Sequence, residues 1–379
     1  MKAMGWVLLV MTACSLATTG VSEACGGGGV VSSRPGSVGA DAQRVLLSVH
    51  RRDPGAGGGQ STTTDVIAQI AVPDTTDDYG VLLPMPTSPT IDPEPVALAD
   101  LELLDAATAP QIVKRESDGS GSGCGCLGAT GGAVRSKGED GTGARVSEPV
   151  NIGPVTAVVL TGTTDAVNVW LGENGFAISA ADQATVAAYA GYYFVAIRRN
   201  ETAAAGGPTS IGIHFNMPGD HREVPLRFAS LGAAPRVAFT VFLATTDLAG
   251  PSAPFAALTL DDLDAVLLRA GSYPEAVRKA VSAHGNRAFV LESRTATELL
   301  GMQGARIASL IDGNTTITRL STIVPAAALT EDAHFQTPYG DAVPNERYVS
   351  NSRGFGSREA SMGALALALA GAFRRRRRG

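Results

Sequence analysis

The sequence predicts an α+β fold with a mainly antiparallel sheet, and three observations point to it. Strand-like runs cluster along the chain, helical runs arrive in pairs between them, and the regular strand-helix alternation of a doubly wound parallel sheet is missing. Composition agrees. Over 379 residues the apolar share is 44% and the charged share 17%, while 45 glycines and 5% aromatics imply many turns and a core of Val, Leu, Ala and Ile. At this length one large or two modest domains are expected.

The elements follow in order. RVLLSVHR (44–51) and TTDVIAQIAV (63–72) alternate apolar and polar residues around a turn-rich DPGAGGG, which predicts an antiparallel hairpin. YGVLLPMP (79–86) predicts a third strand, placed at a sheet edge or strand end because Pro84 and Pro86 cannot donate to a ladder. VALADLELLDAATAP (96–110) spaces Leu98, Leu101, Leu103 and Leu104 as a helix stopped by Pro110. Residues 117–147, rich in Gly and Ser, predict a mobile surface loop.

Beyond it, VTAVVL reads as a strand and DAVNVWLGENGF as a helix closed by Asn174 and Gly175. AADQATVAAYAG predicts a second helix and YYFVAIR a buried strand. SIGIHFNM, EVPLRFASL and RVAFTVFLA are strand-like, the last apolar enough for a sheet centre. Thr259 with Asp262, and Ser272 with Glu275, are capping patterns that predict helices over 260–270 and 273–284. RAFVLES and TITRLSTIV are expected to close the ordered region as strands. The body spans 44–336 as one unit, or as two subdomains split by the 117–147 loop, between a flexible start at 25–43 and a linker at 337–360.

The two ends carry processing signals. A short cationic start, an apolar WVLLVM and a polar run over 1–24 have the layout of a secretory signal peptide. Small side chains at Ser22 and Ala24 place cleavage after Ala24, leaving Cys25 first. Lipoprotein processing at Cys14 is the rival, disfavoured because the preceding apolar run is shorter than the ~7–15 residues of such segments. At the other end, 361–379 holds an apolar stretch with Gly363, Leu365, Leu367 and Leu369, then Arg374, Arg375, Arg376, Arg377 and Arg378. The stretch is short of the roughly 20 residues of an ordinary spanning helix, yet the arginines favour the cytoplasmic side.

This end resembles the tripartite C-terminal sorting signals of Gram-negative bacteria, of the myxobacterial, GlyGly and PEP types, although GFGSREAS stands where the myxobacterial type has a cysteine. The resemblance implies two processing partners, signal peptidase and a C-terminal sorting protease, and membrane contact through the apolar segment before processing. The expected location is the cell envelope, on the outer surface or released.

Read in order, ACGGG, GVLLPMP, LELLDAATAP, the CGC loop, DAVNVWLGENGF, YYFVAIR, EVPLRF, RAFVLE, TRL and ALTED resemble a bacterial family of uncharacterised exported proteins, the domain-of-unknown-function family numbered 2330. The resemblance runs from Cys25 to Gln336. It implies an envelope protein with no assigned activity, cofactor or catalytic residue.

The residues exclude several chemistries and leave others open. Net charge is −6 including the five terminal arginines, so the rest of the chain carries −11 and lacks the broad basic face that binds nucleic acid. No CxxC or HExxH suggests zinc, no G-x-S-x-G elbow a serine hydrolase, and no G-x-x-x-x-G-K-[ST] loop a phosphate site. No cofactor or metal is expected, and no catalytic residue is assigned. Asp74, Asp77 and Asp78, like Asp261, Asp262 and Asp264, lack calcium-loop spacing.

Cys25, Cys124 and Cys126 remain after cleavage, an odd set that allows one intrachain bridge; a redox role for Cys124 with Cys126 is the sharper alternative. His214, Asp220, His221 and Glu223 form the only dense polar cluster, across a Pro-Gly turn. A non-catalytic binding or structural role is the leading expectation, and an unrecognised enzyme the alternative. A deep pocket gathering His214, His221, Arg227 or the Asp77 and Asp78 pair would favour catalysis.

Overall fold

The computed structural model describes residues 29–32, 40–52, 61–71, 79–115, 144–176, 179–200, 210–302, 305–340 and 346–350. The expected signal peptide, Cys25, Cys124, Cys126, the Asp74, Asp77 and Asp78 group and the sorting tail lie outside these residues.

The chain opens with strands β1 (Gly29–Ser32), β2 (Ala40–Arg52), β3 (Ser61–Ala71), β4 (Tyr79–Met85) and β5 (Thr90–Ile91). Helix α1 (Leu98–Thr108) and β6 (Gln111–Arg115) precede β7 (Arg145–Val146), β8 (Val150–Ile152) and β9 (Val155–Thr161). Helices α2 (Thr164–Glu173) and α3 (Ala180–Ala187) lead into β10 (Tyr193–Arg199), β11 (Ser210–Pro218), β12 (Glu223–Val224) and β13 (Ala233–Thr245). After β14 (Gly250–Pro251) and β15 (Ala256–Thr259) come α4 (Ala265–Arg269), α5 (Tyr273–Ala283) and β16 (Ala288–Ala296). Helix α6 (Arg306–Leu310), β17 (Thr316–Pro325), β18 (Ala333–Gln336) and β19 (Glu346–Ser350) complete the order.

Among the described residues these strands form two large sheets and two small ones. The larger runs β15-β16-β17-β13-β2-β3-β11-β5, and the smaller β1-β4-β10-β9-β7 with β8 also on β9. Most pairs are antiparallel, as expected, but β2 with β13, β15 with β16 and β6 with β19 are parallel.

Side chains alternate across a strand, so each sheet has two faces to cover. Val45 and Leu47 of β2, Val66 and Ala68 of β3, and Ile213 and Phe215 of β11 share one core with the smaller sheet. Val81 and Leu83 of β4 and Val195 and Ile197 of β10 meet them there. On the far side of the larger sheet, Leu46, Ile67, Phe242 and Ile317 pack with Leu101 and Leu104 of α1, Ile307 of α6 and Ile311 just after it. On the far side of the smaller sheet, Leu82, Leu160 and Phe194 pack with Val167 and Leu171 of α2 and Val186 of α3. The layers therefore run helix, sheet, sheet, helix. Strands on both sides of the 116–143 segment contribute to each large sheet.

The predicted hairpin is β2 and β3, with Val45 opposite Ala68 and Leu47 opposite Val66. β13 lies inside the larger sheet between β17 and β2, which explains its apolar residues on both faces. The helix closed by Asn174 and Gly175 is also present, with Asn174 as its C-cap and Gly175 at φ +85°.

Several expectations are corrected. EVPLRFASL is not a strand beyond Glu223–Val224: Pro225 cannot donate to a ladder, and a 3-10 turn at Phe228–Ser230 follows. The helix over 260–270 is interrupted, because Leu263 is extended and Asp264 caps a new helix by accepting from the N–H groups of Val266 and Leu267. Ser272 makes no side-chain cap, and Glu275 pairs with Arg278 instead. Of the two places expected for YGVLLPMP, the structure takes the strand end and not the sheet edge: β4 lies between β1 and β10, with Pro84 next to its last residue and Pro86 just beyond it. Strands β1 and β2 begin within the expected flexible start, while β18 and β19 extend the ordered region to Ser350, inside the expected linker. No helix among the described residues is long and apolar enough to cross a membrane.

One close approach fixes how the chain enters α1. Val96 and Gly212 exchange backbone hydrogen bonds at 2.9 and 3.0 Å, and a Cβ on Gly212 would stand 2.9 Å from Val96 Cβ and 3.0 Å from Val96 O. Backbone has little room to retreat there. Gly212→Ala is expected to destabilise the protein by about 1–3 kcal/mol in urea unfolding; an unchanged midpoint would show that β11 and the α1 entry are not held in register by this contact.

Candidate functional site

The seam between the two sheets opens where β4 ends. Leu83, Pro84, Met85 and Pro86 form one wall of a cleft, and Val45, Leu47, Val66, Ala68 and Met217 from the larger sheet form its floor. Pro86 cannot continue the ladder, so the strand stops and leaves the seam uncovered. The rim comes from two other places. Tyr189 and Tyr192 lie in the turn after α3, and the short pairing of β12 with β18 brings Glu223, Val224 and Pro225 beside Asp332. Counted to its open mouth the cleft is about 530 Å³. Its narrow interior admits roughly three waters, which limits it to a small group.

The four polar side chains at the rim are tied together in pairs. Tyr189 Oη donates to both oxygens of Asp332, at 2.7 and 2.8 Å, and accepts the N–H of Phe228 at 3.1 Å. The backbone N–H of Arg227 donates to Asp332 Oδ1 at 2.9 Å. Glu223 is held more loosely, with Tyr192 Oη 3.4 Å from Oε1 and His334 Nδ1 3.4 Å from Oε2. The Tyr189 ring meets Tyr192 and Phe228 edge-on, with centroids 5.3 and 5.1 Å apart.

Burial acts on these groups in one direction. It pushes the Asp332 carboxyl above its ordinary value, against the hydrogen bonds from Tyr189 and Arg227. Burial and the Asp332 charge together push the Tyr189 hydroxyl well up, and burial with the Glu223 charge pushes Tyr192 up to about 12. Both tyrosines stay neutral donors at physiological pH.

A second polar group lies outside the cleft, on the helix-covered face of the larger sheet. His214 Nε2 faces Asp65 Oδ1 at 2.8 Å and its Nδ1 faces Asp92 Oδ2 at 3.2 Å. The other oxygen of Asp65 meets His50 Nε2 at 3.0 Å, and Asn216 donates to Oδ1 at 2.7 Å. His50 Nε2 also reaches the carbonyl of Leu310 at 2.9 Å, holding the end of α6, while Arg306 at its start binds Asp92. Ser48 Oγ lies 3.1 Å from His50 Nε2, but that is the nitrogen facing Asp65, and Ser48 is fully buried. A serine, histidine and aspartate arranged for nucleophilic attack would use opposite ring nitrogens. This group is a structural tie. No set of three or more His, Cys, Asp or Glu among the described residues is arranged to hold a metal.

The four residues expected as a polar cluster take separate partners. His214 joins the tie just described. Asp220 pairs with Arg222 at 2.6 Å and lies 3.8 Å from Arg51. His221 bonds the Pro218 carbonyl at 2.8 Å and Thr87 at 3.1 Å, in a turn where Gly219 has φ +108°. Glu223 alone lines the cleft. Sequence reasoning missed Tyr189, Tyr192 and Asp332, which come from two distant turns. The Pro-Met-Pro stop of β4 was the one readable sign that a seam ends there.

Asp65 makes the strongest prediction at the tie. Burial pushes its carboxyl up, yet the hydrogen bonds from His214, His50 and Asn216 outweigh burial and hold it below the ordinary value of 3.8. Its stabilisation is thus complete above that value and is lost as pH falls through the lower, folded one. Asp65→Asn is expected to cost about 3–5 kcal/mol at neutral pH, with the gap to wild type closing in strong acid. Urea unfolding across an acid pH series measures it, and a gap that stayed constant would mean the carboxylate charge contributes nothing.

Comparison with curated proteins and with solved structures finds no match. A family model does match, over residues 21–250. That match reaches from before β1 to the first residue of β14, and the resembling segments RAFVLE, TRL and ALTED lie beyond it. Since it covers more than half of the chain, the protein belongs to the family described as uncharacterized protein conserved in bacteria (DUF2330).

Proposed function

We propose that this is an exported envelope protein that acts by binding, holding a small ligand in the cleft between its sheets. The observation that carries the binding part is the cleft itself, where an apolar floor from the larger sheet and an apolar wall from the smaller meet four polar side chains gathered at one rim. Concave, mostly apolar sites with a few convergent polar groups are the usual form of small-molecule sites. Among the described residues the lining offers no Ser, Thr, Cys, Lys or His to act as nucleophile or base, and the tyrosines are kept protonated by burial and neighbouring carboxylates. Two carboxylates and two neutral hydroxyls at one rim support recognition of a polar group.

Export is supported by the layout of the two ends. The 1–24 signal and the apolar-then-arginine tail at 361–379 would leave a body in an oxidising compartment, with Cys25, Cys124 and Cys126 open to bridging. On this reading signal peptidase and a C-terminal sorting protease act on the chain before it reaches the surface.

Both parts can be tested on the native protein. Mass spectrometry of the cell-envelope fraction is expected to find a chain starting at Cys25 and lacking the arginine cluster, whereas an intact chain in the cytosol would overturn export. For the cleft, short-chain alcohols, amines and carboxylic acids titrated by NMR are expected to shift the methyl signals of Met85 and Met217. Ala68→Leu, which fills the floor, should weaken those shifts roughly tenfold, the equivalent of one or two methylene contacts, with circular dichroism unchanged. Binding by no member of the panel, or binding indifferent to Ala68→Leu in a folded variant, would overturn the cleft as a ligand site.

A further inference from the structure

We infer that the cleft selects a small organic ammonium, with its short alkyl body on the apolar floor and its cationic nitrogen against Glu223, beside Asp332. This names the ligand class for the binding reading above and rests on that reading.

The sign of the charge comes first. The cleft lining holds two carboxylates and, among the described residues, no Lys, Arg or His. Arg227 approaches Asp332 through its backbone N–H, and His334 meets Glu223 from a largely exposed position, 58% open to solvent, at 3.4 Å. An anionic ligand would meet two carboxylates whose neighbouring tyrosine hydroxyls already donate to them, and would lose its hydration without return. A cation would lose its hydration to two carboxylates instead.

The state of Glu223 then places the nitrogen. Its side chain is only 21% exposed, and among the described residues its two oxygens have one contact each, both at 3.4 Å. Hydrogen bonds from charged donors to carboxylates run at about 2.7–2.9 Å, so Glu223 is short of close donors. Asp332 differs, because Tyr189 and the Arg227 N–H already satisfy it at 2.7 to 2.9 Å. An ammonium brings three donors and a full charge, which is what Glu223 lacks.

The floor limits the rest of the ligand. Room for roughly three waters excludes a bulky body. Met85 and Met217, two unbranched thioethers, adapt to a short flexible chain better than branched side chains would.

The test compares n-butylammonium with n-butanol and butyrate, titrated into the full-length protein and followed by NMR or calorimetry. The ammonium is expected to bind roughly tenfold or more tightly than the alcohol, the margin a charge-assisted hydrogen bond provides, and butyrate more weakly than either. Glu223→Gln should erase the preference while leaving alcohol affinity and circular dichroism unchanged. Should that variant misfold, Asp332→Asn provides the second arm, expected to reduce the preference by a smaller factor. Equal binding of ammonium and alcohol, or a preference that survives Glu223→Gln, overturns the ammonium assignment while leaving the cleft a ligand site. Failure of all three probes to bind removes the binding reading beneath it.

Discussion

Everything in this fold follows from sheets that are apolar on both faces. Leu46 and Leu47 point to opposite sides of β2, Ile67 and Ala68 to opposite sides of β3, and Leu82 and Leu83 to opposite sides of β4, and all six are buried. Each large side chain buried in this way contributes about 1.5–3 kcal/mol, so neither face can be left to water. Stacking the two sheets covers one face of each, and helices must cover the others. The layered order is the arrangement that meets that demand, with α1 and α6 on one outer face and α2 and α3 on the other.

Polar side chains within those layers decide where the covering elements sit. Apolar contact is non-directional, whereas buried charges accept few positions. Glu292 stands at a bulge where the pairing of β16 with β17 shifts between Leu291 and Ser293, and it is almost fully buried. It binds Arg319 and Ser321 and accepts from Tyr273 at 2.6 Å, which ties the start of α5 to the sheet. Arg319 continues to Asp105 of α1, so one chain of charges reaches two helices. The Asp65, His50 and His214 group does the same for α6. Such pairs add little over apolar replacements of equal volume, but breaking one is costly.

The cleft is the place where this covering stops. Its walls belong to the same inner faces that elsewhere touch, and it exists because β4 ends at prolines while the turn after α3 and the small β12-β18 pairing stand around the gap instead of filling it. Burial of Asp332 and of the two tyrosines there is the reverse side of the same geometry: polar groups at the edge of an apolar seam lose water and rely on one another. Glu223, among the described residues, has only long contacts, at 3.4 Å.

Local pattern determined a good part of this protein. The β2-β3 hairpin, β9 to β11, β13, the first helix and the Asn174-Gly175 stop are all written in period and punctuation, because alternation and end signals act over a few residues. Short interruptions were misjudged for the same reason: one proline in EVPLRFASL and one extended residue at Leu263 outweigh the trend of the residues around them. The layering, the three parallel pairs and the placing of β4 inside a sheet depended on contacts between strands far apart in sequence, which no local period encodes. The candidate site was the least legible. Glu223 stood in a visible cluster, but its working neighbours are Tyr192, Asp332 and His334, from turns and strands that meet only once the sheets are stacked. His214, close to it in sequence, faces the opposite side of the larger sheet. A strand sends neighbouring side chains to different faces, so nearness along the chain was a poor guide to nearness in the site.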